Sequence, residues 1–141
     1  MRRADWEAAL SDYLTASVNA RFAWGEMDCA LFAAGAVRAM TGIDFAAPFR
    51  GRYRTARGSV RALRRYGAGS LVATVEQLLG EVPIGFARRG DIVLHGDERT
   101  GALGVCIGGD ALFVGRDESG DLAHEGLVRI PRHQWSRAWA V

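Results

Sequence analysis

Lysine is absent from the 141-residue chain, so arginine supplies every basic side chain of the Lys+Arg total of 18. That absence reflects codon usage as readily as chemistry and excludes no function. Cysteine is scarce: Cys29 and Cys106 are too few for a disulfide scaffold, and neither has a second cysteine at metal-ligand spacing. The histidines His95, His124 and His133 are scattered, so no zinc site is expected and no cofactor is called for. The opening stretch MRRADWEAAL carries two arginines but no apolar run behind them, so no signal peptide is expected. No segment approaches the roughly 20 apolar residues that cross a bilayer. With 49% hydrophobic and 24% charged residues, disorder is also excluded. What is left is a soluble globular chain, long enough for one domain over residues 1–141 with its own core.

Two halves of different character follow. Residues 4–19 place Trp6, Leu10, Tyr13 and Leu14 at helical spacing. Residues 21–28 read as a loop holding Trp24 and Gly25. A second helix is expected over 29–41, with Asp28 as its N-cap and Thr41-Gly42 at its close. Pro48 and Gly51 make 43–54 irregular, and short helices are expected over 56–66 and 70–80, split by Gly67 and Gly69. From there DIVLH, LGVCIGG, ALFVG and LVRI are short, rich in Val, Ile and Leu, and separated by the turns GDERTG, GGD and RDESGD. They predict an antiparallel meander, with Trp135 and Trp139 packing the final segment down. Helices first and strands second make an α+β domain. Gly35 is expected to bring the second helix close to the sheet, and Asp91 to be a turn residue.

Seven arginines fall between Arg50 and Arg65, and Arg57, Arg61, Arg64 and Arg65 share one helix face. A solvated face explains them; so would an anionic partner such as nucleic acid, a membrane surface or an acidic protein. The net charge is only +2 and no aromatics interleave the run as in a single-strand binder. Nucleic acid is therefore a minor option.

The stretch FAWGEMDC running into ALFAAGAVRAM carries the chemistry. A cysteine at the start of a helix sits beside unpaired backbone N–H groups and the positive end of the helix dipole, which favours the thiolate a nucleophile needs. A small buried hydrophobe is the plainer account of any single cysteine. It is the better account of Cys106, which lies inside an apolar strand.

The pattern Phe22-x-Trp24-Gly25-x-x-Asp28-Cys29 resembles the nucleophile segment of NlpC-type cell-wall cysteine peptidases. Arg89-Gly90-Asp91-Ile92-Val93-Leu94 and Leu103-Gly104-Val105-Cys106-Ile107-Gly108 resemble two successive strands of that superfamily. The segment TGIDFAAPFRGRYRTARG is similar to small relatives found in phage and prophage tail gene clusters. The resemblance implies a papain-like α+β fold, with helices packed on a C-terminal antiparallel meander, and hydrolysis of peptide or amide bonds in peptidoglycan stem peptides. Cys29 would be the nucleophile, its backbone N–H part of an oxyanion hole, and Trp24 and Asp28 substrate-contacting residues. The implied partners are phage tail or hub proteins and a peptidoglycan peptide, and the implied location is the virion tail, or the bacterial cytoplasm before assembly.

The chain departs from that pattern at two positions. The superfamily histidine precedes the strand corresponding to LGVCIGG, and Ala102 stands there; the candidate strand for the residue that orients it, Ala111 to Gly115, is wholly apolar. One replacement follows from geometry. If the strands on either side of Gly96–Gly101 form a hairpin, His95 and Ala102 are directly opposite and share a face, with Cβ atoms about 5 Å apart. His95 would then be a relocated base. Two functions compete: a tail-associated structural domain that has lost catalysis, and a thiol hydrolase using Cys29 and His95.

Overall fold

The computed structural model describes residues 1–115 and 126–141. His124 and the turn RDESGD fall outside the described residues. Four helices come first: α1 (Trp6–Ala16), α2 (Cys29–Thr41), α3 (Ala56–Tyr66) and α4 (Leu71–Leu78). The strands are β1 (Gly80–Val82), β2 (Ile92–His95), β3 (Ala102–Cys106), β4 (Asp110–Val114), β5 (Leu127–Pro131) and β6 (Trp135–Ala140). They form one six-stranded antiparallel sheet in the order β1-β6-β2-β3-β4-β5. No helix among the described residues is long and apolar enough to cross a membrane.

Short polar side chains start three of the helices, each accepting from a backbone N–H that the first turn leaves unpaired. Asp28 accepts from Leu31 N, Thr55 from Gly58 N and Ser70 from Ala73 N. Gly42 ends α2 at φ +80°, where the left-handed backbone suits glycine. The expected helix over 70–80 stops at Leu78, and Gly80–Val82 turns into an edge strand against β6.

The sheet is covered on both faces. Ile92, Leu94, Leu103, Val105, Val114 and Trp139 meet α1 and α2 through Leu10, Leu14, Phe32, Ala36, Val37 and Met40. Val93, Cys106, Ala111, Phe113, Trp135 and Ala138 make a second cluster on the other face. The meander expected from the sequence is β2 to β5, but its first strand is not an edge. β6 lies between β1 and β2, where the sequence predicted only a packing segment. Its register against β2 slips, Leu94 facing Arg137 and His95 facing Trp135, so Ser136 is the extra residue of a bulge. The bulge puts Trp135 and Ala138 on the same face and erases the alternation that marks a strand.

Two expected roles are corrected. A Cβ at Gly35 would lie 2.2 Å from the Tyr13 hydroxyl. The close approach made there is therefore between α2 and the α1 tyrosine, not between α2 and the sheet. Tyr13 donates to Phe32 O at 2.8 Å and stacks on the Phe32 ring. Asp91 is not a turn residue alone. It is 1% exposed and pairs with Arg2 at 2.7 Å, while accepting from Arg88 N and Val141 N. The same Arg2 donates to Arg89 O and Val141 O and lies 4.1 Å from the Trp6 ring centre. One buried charge pair thus ties the start of α1, the start of β2 and the end of β6.

Candidate functional site

The site is built on the loop 21–28 and the first turn of α2. Ala23 and Met27 exchange backbone hydrogen bonds across a tight turn. Gly25 sits inside that turn at φ +79°, and a Cβ there would lie 1.9 Å from Tyr53 O. Only glycine combines that backbone with that contact. Gly51 N donates to Gly25 O at 2.8 Å, fastening the loop to the irregular segment that precedes α3. Phe22 and Trp24, the latter half-buried, meet edge to face at 4.8 Å.

Asp28 organises the whole arrangement. It is 1% exposed. One carboxylate oxygen accepts from Leu31 N at 3.0 Å, and the other from Gly25 N at 3.1 Å and from the Tyr53 hydroxyl. Its N-cap role agrees with the sequence. The expectation that it touches substrate does not fit, because both oxygens are spent within the fold and out of solvent. Tyr53 is the residue that sequence reasoning missed: it lies 25 positions away, in GRYR, and only the return of that segment to the loop gives it a role. Burial, then the Asp28 carboxylate, push its hydroxyl well above the usual tyrosine range.

Cys29 follows directly, the first residue of α2 and half-buried. Its helix packs on the first face of the sheet. The hairpin that was to supply its base has the expected register, with His95 opposite Ala102. The face is the other one. Ile92 and Leu94 point toward α2, so alternation sends His95 with Val93 to the second face. There its ring lies 6.0 Å from that of Phe113, and Nδ1 is 3.0 Å from Gln134 O. The structure therefore groups Trp24, Asp28 and Cys29 on one loop-helix junction and sets His95 across the sheet from them. His133 is exposed in the turn before β6. At the two positions where the superfamily pattern fails, Ala102 packs with the second cluster, and Ala111, Phe113 and Val114 are buried.

The family model matches residues 1–141, the full length. The chain belongs to DUF6950. That family is described as a domain of unknown function. No curated protein matches the DUF6950 chain. Among solved structures it is similar to the crystal structure of the NlpC/p60 domain of peptidoglycan hydrolase SagA, with a TM-score of 0.60 and 15% identity. That match covers 95% of the DUF6950 chain and 97% of the other. At this identity the likeness shows the fold: an α+β NlpC/p60 architecture with Cys29 heading the helix that packs on the sheet.

The buried tyrosines give this DUF6950 protein a measurable alkaline response. Burial pushes Tyr13 up to about 12, and Tyr53 is raised as well. An acid whose folded pKa exceeds its unfolded value of about 10 stabilises fully below that value and less as pH rises through it. Urea midpoints should therefore fall as pH is raised above about 10. The fall should shrink in Tyr13→Phe and Tyr53→Phe, relative to each variant's own midpoint at neutral pH. Equal alkaline slopes in all three proteins would contradict the assignment.

Proposed function

We propose that this protein is a thiol hydrolase carried in phage or prophage tails and directed at peptide bonds of bacterial peptidoglycan, with Cys29 as nucleophile. One observation carries the reading: Cys29 opens α2, half-exposed, on a loop locked by Asp28, Gly25 and Tyr53. A thiolate there is favoured by the helix dipole and is held in one place by its surroundings. The kinship in fold with a peptidoglycan hydrolase domain supports the substrate class. The similarity of the 41–58 segment to tail-cluster relatives supports the setting. In the step proposed, the Cys29 thiol loses its proton to solvent and its Sγ adds to the amide carbonyl, the Cys29 N–H receives the oxyanion, the C–N bond breaks as a water molecule protonates the leaving amine, and a second water hydrolyses the thioester to the acid and the free thiol.

A second reading is favoured by the apolar side chains at Ala102 and along β4: a structural tail domain that has kept the architecture without turnover. Iodoacetamide alkylation at neutral pH, followed by release of amino groups from purified sacculi, separates the two. Cys29 should react at least about tenfold faster than a free peptide thiol, and release should vanish in Cys29→Ser. Cys106 serves as internal control, since burial pushes its thiol up and shields it. A Cys29 no faster than the peptide thiol, with no release, leaves the structural reading.

A further inference from the structure

The arginine run becomes a different object once its neighbours are known. No aspartate or glutamate occurs between Asp44 and Glu76. Asp44 is already engaged by Arg50 at 3.0 Å and Arg38 at 3.8 Å. Arg52, Arg54, Arg57, Arg61, Arg64 and Arg65 are all exposed. Among the described residues none of the six forms an ion pair with a carboxylate. Tyr66 joins the loop and helix members into one patch, with Arg52 at 5.8 Å and Arg65 at 5.3 Å from its ring centre. Its ring is held in turn edge-on to Phe49. Two guanidinium groups are thus placed against a fixed aromatic ring, which lowers the entropy lost on binding.

We propose that this face of α3 binds the phosphodiester backbone of duplex DNA without reading its sequence. Arg57, Arg61 and Arg64 rise about 6 Å and then about 5 Å along the helix, a row of planar donors suited to phosphate oxygens. A bilayer would need apolar side chains among the cations, and on this helix only Val60, at 45% exposure, stands out. An acidic protein would need a large exposed anchor at the centre of the contact, and the patch offers only the small Val60 and the Tyr66 ring, half-buried under its arginines. Single strands would call for exposed stacking rings, and Tyr66 is half-buried under its arginines. The sequence alone made nucleic acid a minor option because the net charge is small and no aromatics interleave the run; net charge averages the paired arginines with the unpaired ones, and a duplex needs no stacking rings.

The test is fluorescence anisotropy with a short duplex of arbitrary sequence, titrated between about 50 and 200 mM salt. Log affinity should fall with log salt at a slope near −5 if all six arginines engage. The variant Arg57→Gln/Arg61→Gln/Arg64→Gln should flatten that slope by about 3 and weaken binding at least about tenfold at the low-salt end. Its thermal midpoint should be unchanged, since the replaced side chains are exposed. Cys29→Ser should bind like the parent, so failure of the hydrolase reading and failure of this one are told apart. No salt-dependent duplex binding overturns the proposal. So does equal affinity for phosphatidylglycerol vesicles or for polyglutamate, or a triple variant that binds as well as the parent.

Discussion

Replacing Asp28 by alanine should cost about 3–7 kcal/mol in urea unfolding, the sum of a lost N-cap and two buried donors left without an acceptor. The cap to Leu31 N accounts for about 1 kcal/mol. Gly25 N and the Tyr53 hydroxyl, both out of solvent, account for roughly 1–3 kcal/mol each. Tyr53→Phe should cost about 1.5–3 kcal/mol, as loss of a hydrogen bond to a charged group. Because the two residues share one interaction, the double variant Asp28→Ala/Tyr53→Phe should be less destabilised than the sum of the singles. The same Asp28 change should loosen Cys29 and slow its alkylation while leaving Cys106 inert. An Asp28→Ala loss below about 1 kcal/mol would mean that the loop holds its shape without the carboxylate.

Asp91→Ala should be of similar size, about 3–5 kcal/mol, for a different reason. The Arg2 side chain is 7% exposed, and without Asp91 it becomes a buried charge with no counter-ion. Burial already pulls its guanidinium below the usual arginine range, and Asp91 is the chief influence in the other direction. The variant also strips acceptors from Arg88 N and Val141 N. The paired change Arg2→Met/Asp91→Asn removes both charges but keeps an acceptor for only one of those amides, which donate to different carboxylate oxygens. It should therefore recover part of the loss, since a buried ion pair is often no better than an apolar replacement while one amide stays unpaired. Urea midpoints of the single and double variants check this; a double variant as unstable as Asp91→Ala would show that the charge pair itself stabilises the fold.

Much of the architecture was legible, and the failures have physical causes. Asp28 read as a cap, and the starts expected at 56 and 70 lie within a residue of those that Thr55 and Ser70 cap. The hairpin register of His95 and Ala102 followed from loop length. Its facing did not, because DIVLH is a central strand, apolar on both sides, and such a strand gives no sign of which side meets a helix. The bulge at Ser136 hid β6 in the same way. Tyr53 and Arg2 were invisible for a further reason: each acts through a partner far along the chain, at Asp28 and Asp91, and no local pattern encodes that meeting.

The position of β6 inside the sheet governs when this chain can fold. Among the described residues β1 pairs with β6 alone, and without β6 the β2 strand offers an open, apolar edge. A nascent chain halted before residue 135 would hold a four-stranded meander with Ile92, Val93 and Leu94 along its unpaired border, a template for association with other unfinished chains. Docking of β6 makes three contacts at once: Trp139 enters the core, β1 gains its neighbour and Asp91 gains the Val141 amide.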